Sequence, residues 1–243
     1  MRLNSDLGES YGRWRMGDDE RLMAVIDDAN IACGYHAGDP LTLRRTLQLA
    51  ARHGVRVGAH PAYPDLQGFG RRSMSIAGDE LIALLHYQVG ALEGMALASG
   101  TTVQYVKPHG ALYNDLLRDE DVLHAVLDAV AGWHRPLPLV VQAGPWRSRL
   151  ERAAAQRRVT LSWEAFADRR YEDDGTLRPR RESSAVLDGA AMVEQARRLL
   201  EQGTVITASG RELALSADTL CVHGDSEGAL DSLARLRAGS MAP

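Results

Sequence analysis

Residues 103–130 read VQYVKPHGALYNDLLRDEDVLHAVLDAV, and this stretch decides the fold. Val103 to Val106 is a short β-rich run that passes into a Pro- and Gly-bearing turn carrying Lys107, His109 and Asn114. From Asp119 onward, Val122, Leu123, Val126, Leu127 and Val130 recur at the spacing of one helix face, with acids at the N-terminal end. That pattern predicts a helix over 119–130. Strand, chemically loaded turn and helix make one β–α unit, and the same order recurs on both sides. Val55 to Ala59, Leu137 to Val141, Val159 to Leu161 and Thr219 to Val222 read as strands, with weaker signals at Arg2 to Asp6 and Ala29 to Cys33. Helical patterns run through Leu81, Leu85, Val89 and Leu92, and through Met192, Ala196 and Leu199.

Repeated strand–helix alternation implies parallel strands joined by helical crossovers. About seven such units fill the chain, which predicts an α/β fold, a TIM-like barrel in a single domain over residues 1–243. An open doubly wound sheet would offer a Gly-rich phosphate turn after its first strand, and SDLGESYG is a poor match to one. Residues 169–184, RRYEDDGTLRPRRESS, are charged and broken by Gly and Pro, so a long irregular loop is expected there.

Composition narrows the function classes. With 45% hydrophobic residues over 243 positions, the chain can bury a large core without disulfides or metals. Cys33 and Cys221 each end an apolar run and read as small buried thiols. A formal net charge of -4 gives no basic footprint for nucleic acid. No polybasic stretch, bilayer-length apolar run or secretory h-region is visible, so no membrane partner and a cytoplasmic address are expected.

In parallel α/β folds the loops after the strands carry the chemistry. Those positions hold Asn4, Asp6 and Glu9 after the first strand, His36 and Asp39 after the second, and His60 and Asp65 after the third. The fourth supplies Lys107, His109 and Asn114, and the last His223 and Asp225. A lone His in such a loop is usually a structural hydrogen bonder, but four at converging strand ends point to function. His53, His86, His124 and His134 fall on or near helices and are expected to be exposed. Lys107 is the only lysine among 28 basic residues; arginine is used everywhere else. An ammonium is a point charge with an adjustable pKa, unlike a guanidinium, so its place at a strand end marks it. Asn4, Asn30 and Asn114 are the only asparagines, and turn geometry and substrate contact explain them equally well. The loop glycines, among them Gly70 and Gly110, are expected to shape tight turns.

NSDLGESYG, ANIACGYHAGDP, GAHPAYPDLQGFGRR, VKPHGALYN, EAFADRRY and CVHGD, taken in order, resemble the signature segments of the 5-oxoprolinase A-subunit family, also described as lactam-utilisation proteins. GAHPAYPDLQGFGRR and VKPHGALYN are long and specific; DLGE or HGD alone would be weak. Ser5, Tyr35, Ala165 and Ser183–Ser184 depart from the family pattern, and Ser5 argues against a nucleophilic cysteine in the first loop. The resemblance implies a (β/α)7-type barrel of the glycoside hydrolase/deacetylase superfamily. It also implies ATP-dependent opening of the 5-oxo-L-proline lactam to L-glutamate, together with partner subunits B and C.

Such a reaction needs a base for water, a proton for the ring nitrogen and charge stabilisation. On this reading Asp6 or His109 is the base and Lys107 stabilises negative charge. His36, His60 and Asp39 orient substrate or relay protons, and Asn4, Glu9, Asn114 and His223 contact substrate. ATP would enter with Mg as its counter-ion; no Walker-type segment is present, because the only lysine precedes Pro108. Two alternatives stay open. One is a metal-dependent deacetylase or amidohydrolase using Asp6, His60 and His109 as ligands, although Lys107 beside the site would repel a cation. The other is a non-catalytic 5-oxoproline-binding component.

Overall fold

The computed structural model describes residues 1–76, 78–180 and 182–223, so Asp225 lies outside the described residues. Along the chain come Arg2–Leu7 (β1), Asp19–Met23 (α1), Asp28–Ala32 (β2), Pro40–His53 (α2), Arg56–His60 (β3) and Gly78–Ala98 (α3). Val103–Val106 (β4), Gly110–Asp115 (α4), Glu120–Ala131 (α5), Leu139–Gln142 (β5), Arg147–Arg157 (α6) and Leu161–Phe166 (β6) follow. Gly189–Gln202 (α7), Thr204–Ile206 (β7), Glu212–Ala214 (β8) and Thr219–Cys221 (β9) complete the order. β1 to β6 and β9 form a closed barrel, β9 pairing in parallel with both β6 and β1. The expected (β/α)7-type barrel is therefore present, with the antiparallel pair β7–β8 standing outside it.

The strands are buried on both faces, one toward the barrel interior and one under the helices, which is why their sequences read as apolar runs rather than alternating ones. β2 is buried at every position. Helix α5 starts where Asp119 accepts hydrogen bonds from the Asp121 and Val122 amides, and it buries Leu123, Val126, Leu127 and Val130. Its neighbour α3 buries Leu81, Leu85, Val89 and Leu92. Contrary to the expected absence of a bilayer-length apolar run, α3 has the length and composition of a membrane span, with a mean hydropathy of 1.4. It nevertheless buries Gln88 and Glu93, whose polar atoms bond the backbone of Ala62, Leu84 and Val103.

Three expectations are corrected. The strand expected at 159–161 runs instead over Leu161–Phe166, because Ser162 and Glu164 interrupt its apolar pattern while pointing where polar groups are bonded. Residues 169–184 are an ordered set of turns: isolated bridges join Arg169 to Val186 and Tyr171 to Leu177, and Tyr171 is fully buried. His53 and His134 are exposed as expected, but His86 and His124 are half-buried, the former bonding the Ala129 carbonyl at 2.8 Å.

Candidate functional site

The floor of the barrel mouth is built around Lys107, one residue beyond β4. Its side chain is buried, and Nζ lies 2.9 Å from Asp6 Oδ1 and 2.9 Å from Glu164 Oε1. Asn4 Oδ1 and Cys221 Sγ each stand 3.4 Å away. Burial alone would discharge the ammonium, but Asp6, Cys221 and Glu164 together hold its pKa well above the ordinary lysine value. Burial likewise opposes ionisation of Asp6, and His60 and Lys107 overcome it, leaving the carboxyl well below the usual range. The floor is thus a fixed ammonium between carboxylates. Beneath it, Asn30 Nδ2 donates to Asn4 Oδ1 and Asp6 Oδ1 at 2.8 Å each, and Tyr105 Oη donates to Asn30 Oδ1 at 2.7 Å.

Beside the floor stands an imidazole cluster. His36 stacks on His109 with ring centroids 3.7 Å apart, and His60 meets His109 edge-on at 4.8 Å. Two backbone carbonyls fix the tautomers. His60 Nδ1 lies 2.6 Å from the Lys107 oxygen and His109 Nε2 lies 2.9 Å from the Phe69 oxygen. A carbonyl oxygen only accepts, so both of those nitrogens carry hydrogen. The remaining nitrogens, His60 Nε2 and His109 Nδ1, then face each other at 3.0 Å. With both rings neutral two lone pairs are opposed, and one shared cation, a proton or a metal ion, relieves the opposition. Burial and the neighbouring His36 and His60 rings hold the His109 pKa well below 6.5. Glu9 Oε1 reaches His36 Nε2 at 3.1 Å and His109 Nδ1 at 3.6 Å, and burial raises its own pKa.

The third side is the loop after β6 together with the end of β9. His223 Nδ1 and Asp168 Oδ2 are 2.7 Å apart. Burial works against the imidazolium of His223, but Asp168 outweighs it and the pKa is raised. Arg71, Arg118, Arg169 and Arg180 line the same cavity, which encloses about 440 Å³ and also contacts Asp6, Glu9, His60, Lys107 and His109.

The structure therefore brings together Asp6, Glu9, His36, His60, Lys107, His109 and His223, all expected from strand ends. Asn114 lines the cavity from an exposed position, its Nδ2 bonding the Gly110 carbonyl. Three residues sit elsewhere. Asp39 caps α2, accepting from the Leu41, Thr42 and Gly12 amides, so its carboxylate is spent on backbone. Asn4 lies inside β1 below the floor, saturated by Thr219, Asn30 and Lys107. Asp65 pairs with Arg72 and the Gly68 amide within its own loop. Sequence reasoning missed Glu164, fully buried and bonded by Tyr113 Oη at 2.8 Å, and with it Asp168 and Arg169. The available signal was an acid within a barrel strand of otherwise apolar neighbours.

For a cation, the ligand atoms of Glu9, His36, His60 and His109 all lie within 4.8 Å of one another, and Asp6, Cys221 and His223 form a second such group. Mixed imidazole and carboxylate donors suit a borderline divalent ion.

Residues 1–241 match the LamB/YcsF family. A Pseudomonas aeruginosa protein, named as the third A-type subunit of 5-oxoprolinase in that organism, is 53% identical over 237 residues, 97% of this chain and 94% of that one. The A-type 5-oxoprolinase subunit of Chromohalobacter salexigens is 52% identical over 238 residues, covering 97% and 94%. Among solved structures, the lactam utilization protein of Thermus thermophilus superposes with a TM-score of 0.89 at 38% identity, covering 98% of this chain and 94% of that one. A chain described as a putative cellobiose-phosphate cleavage protein of Enterococcus faecalis shares the fold alone, at 12% identity and a TM-score of 0.51. With a match over nearly its whole length and relatives at about half identity, the chain belongs to the LamB/YcsF family.

Proposed function

We propose that this chain is the A-type component of a 5-oxoprolinase, working with B and C subunits to convert 5-oxo-L-proline, ATP and water into L-glutamate, ADP and phosphate. The observation that carries the reading is the Lys107 ammonium, pinned between Asp6 and Glu164 at the floor of an open cavity beside neutral imidazole. A five-membered lactam is an unreactive amide. Phosphorylation of its oxygen by ATP makes that oxygen a leaving group, after which water adds and the ring nitrogen takes a proton. Lys107, held as a cation, offers charge stabilisation to the anionic oxygen rather than base catalysis. Asp6, held as a carboxylate, orients Lys107 and stabilises an imidazolium formed at His60 or His109. His109, held neutral, is the better proton acceptor of the two bases expected from sequence. ATP enters with Mg as counter-ion, and its phosphates are held at least in part by the partner subunits, since the chain has no Gly-rich phosphate loop.

Glutamate release from 5-oxoproline and ATP tests this reading, measured with the chain alone, the partners alone and all together. Release only in the full mixture, lost on removing this chain, is the expected result. Release by the partners alone sinks it. If partners alone turn over slowly and the chain lowers only KM, its role is substrate delivery.

A second reading, a metal-dependent amide hydrolase, is favoured by the grouping of Glu9, His36, His60 and His109. Those residues would hold a divalent ion, which supplies Lewis-acid activation of water when bound. Elemental analysis of the purified chain, with activity before and after chelation, separates the two: metal-free protein with chelator-resistant activity excludes this reading.

A further inference from the structure

Arg169 is an anomaly in the cavity wall. The residue is 9% exposed, yet no carboxylate is within ion-pair distance of it among the described residues. One nitrogen, Nη2, donates to the Arg178 carbonyl at 2.7 Å, while Nε is buried without a hydrogen-bond partner. The nearest acid in the chain, Asp168, is already engaged by His223 at 2.7 Å. Instead of a counter-charge, Arg169 has other guanidinium groups near it. Arg180 and Arg71 both line the same cavity, and both act on Arg169 as like charges. Burial and Arg180 pull its pKa down to about 10. A buried, uncompensated guanidinium is costly, and folding alone gives no reason to keep one. Convergent guanidinium groups around a cavity are how proteins hold a planar oxyanion.

We propose that Arg169, with Arg71 and Arg180, forms an oxyanion subsite in the cavity wall that takes the carboxylate of a small cyclic amide acid. This rests on the 5-oxoprolinase reading and deepens it, because 5-oxoproline carries one carboxylate on the ring carbon next to the lactam nitrogen. The cavity has two chemically distinct sides: guanidinium groups on one, and Lys107, Asp6, His60 and His109 on the other. A ligand with an anion at one end and a lactam at the other matches both. The subsite explains how the site would separate 5-oxoproline from an uncharged lactam of the same ring, 2-pyrrolidinone. The opposing sources of an oxyanion are this carboxylate and a phosphoryl group.

The test is equilibrium binding to the full chain, alone and in the assembled complex, with 5-oxoproline, 2-pyrrolidinone and inorganic phosphate as probes. The wild type is expected to prefer 5-oxoproline to 2-pyrrolidinone by at least about tenfold. Arg169→Gln is expected to close that gap, leaving 2-pyrrolidinone binding unchanged, and Arg180→Gln to narrow it. Because the substitution removes an unpaired buried charge, Arg169→Gln is also expected to melt no lower than the wild type. That readout separates a binding residue from a structural one. If Arg169→Gln binds 5-oxoproline as the wild type does, or the wild type treats the two lactams alike, the proposal is overturned. Binding of phosphate but not 5-oxoproline, lost in Arg169→Gln, overturns the carboxylate assignment in favour of a phosphoryl group. Should the lactam preference behave as expected while the full complex releases no glutamate, the subsite stands and the ring-opening reading fails.

Discussion

At the residue scale, Lys107 shows why a single ammonium was kept in a chain that otherwise uses arginine. A compact charge on a flexible stem fits between Asp6 and Glu164 at 2.9 Å from each; a planar fork would need more room and more acceptors. Removing one partner of a buried ion pair leaves an uncompensated charge and costs about 3–5 kcal/mol. Lys107→Met is therefore expected to lose stability on that scale in urea unfolding, and the double variant Lys107→Met with Glu164→Gln to recover part of it. Equal stability of the single and double variants would show that the two carboxylates do not share the cation. Asp39 makes the opposite point, since a loop acid beside a histidine proves to be a helix cap. Backbone amides of Gly12 and Thr42 depress its pKa from 3.8 to about 2. A depressed carboxyl stabilises the fold above its unfolded pKa and stops doing so as pH falls through the folded one. Asp39→Ala is expected to cost about 1 kcal/mol at pH 7, with the difference from wild type shrinking between pH 3.8 and about 2. A pH-independent difference contradicts the cap.

At the element scale, the turn between β4 and α4 places His109 by a close backbone approach. Gly110 has φ 57°, and a Cβ there would collide with the Gly70 carbonyl oxygen, which accepts from the Ala111 amide at 2.8 Å. Gly70 has φ 64°, and its own Cβ would meet His36 and His109. The loop after β3 is thus clamped onto the imidazole cluster, with Phe69 supplying the carbonyl that fixes the His109 tautomer. Gly110→Ala is expected to cost at least about 1–2 kcal/mol through left-handed strain and collision. It should also perturb the His109 ring resonance in NMR; a wild-type spectrum and melting curve would show that the approach is not tight. The clamp was legible only as glycines in a loop, because φ and the neighbour across the turn are set by where two distant loops meet. β6 was misplaced for a similar reason: Glu164 breaks an apolar run locally, while the barrel supplies Lys107 and Tyr113 to receive it.

At the scale of the whole molecule, closure of the barrel by β9 makes the site. Val222 donates to the Asn4 carbonyl at 3.0 Å, and Cys221 accepts from the Ala167 amide at 2.9 Å, so the last strand seals the gap between β1 and β6. Val222→Pro removes that donor at a central strand, where proline is not tolerated. The expected outcome is a loss of roughly 3 kcal/mol or more, with weaker near-ultraviolet dichroism as the seam opens and His223 leaves Asp168. An unchanged melting temperature would mean that the barrel does not depend on this seam.

The sequence by itself determined the alternation of strand and helix, and hence a barrel with its chemistry on the loops after the strands. It also marked Asp6, Glu9, His36, His60, Lys107, His109 and His223, because each lies within a few residues of a strand end that local periodicity can locate. Tertiary structure alone decided which of these groups bear charge and which acids serve as caps. It also brought Glu164, Asp168 and Arg169 into the site. The physical reason is distance along the chain. Lys107 and Glu164, or Asp6 and His223, are neighbours only because parallel strands close in register. Burial, tautomer and pKa are properties of that closed arrangement, and no local stretch of sequence contains them.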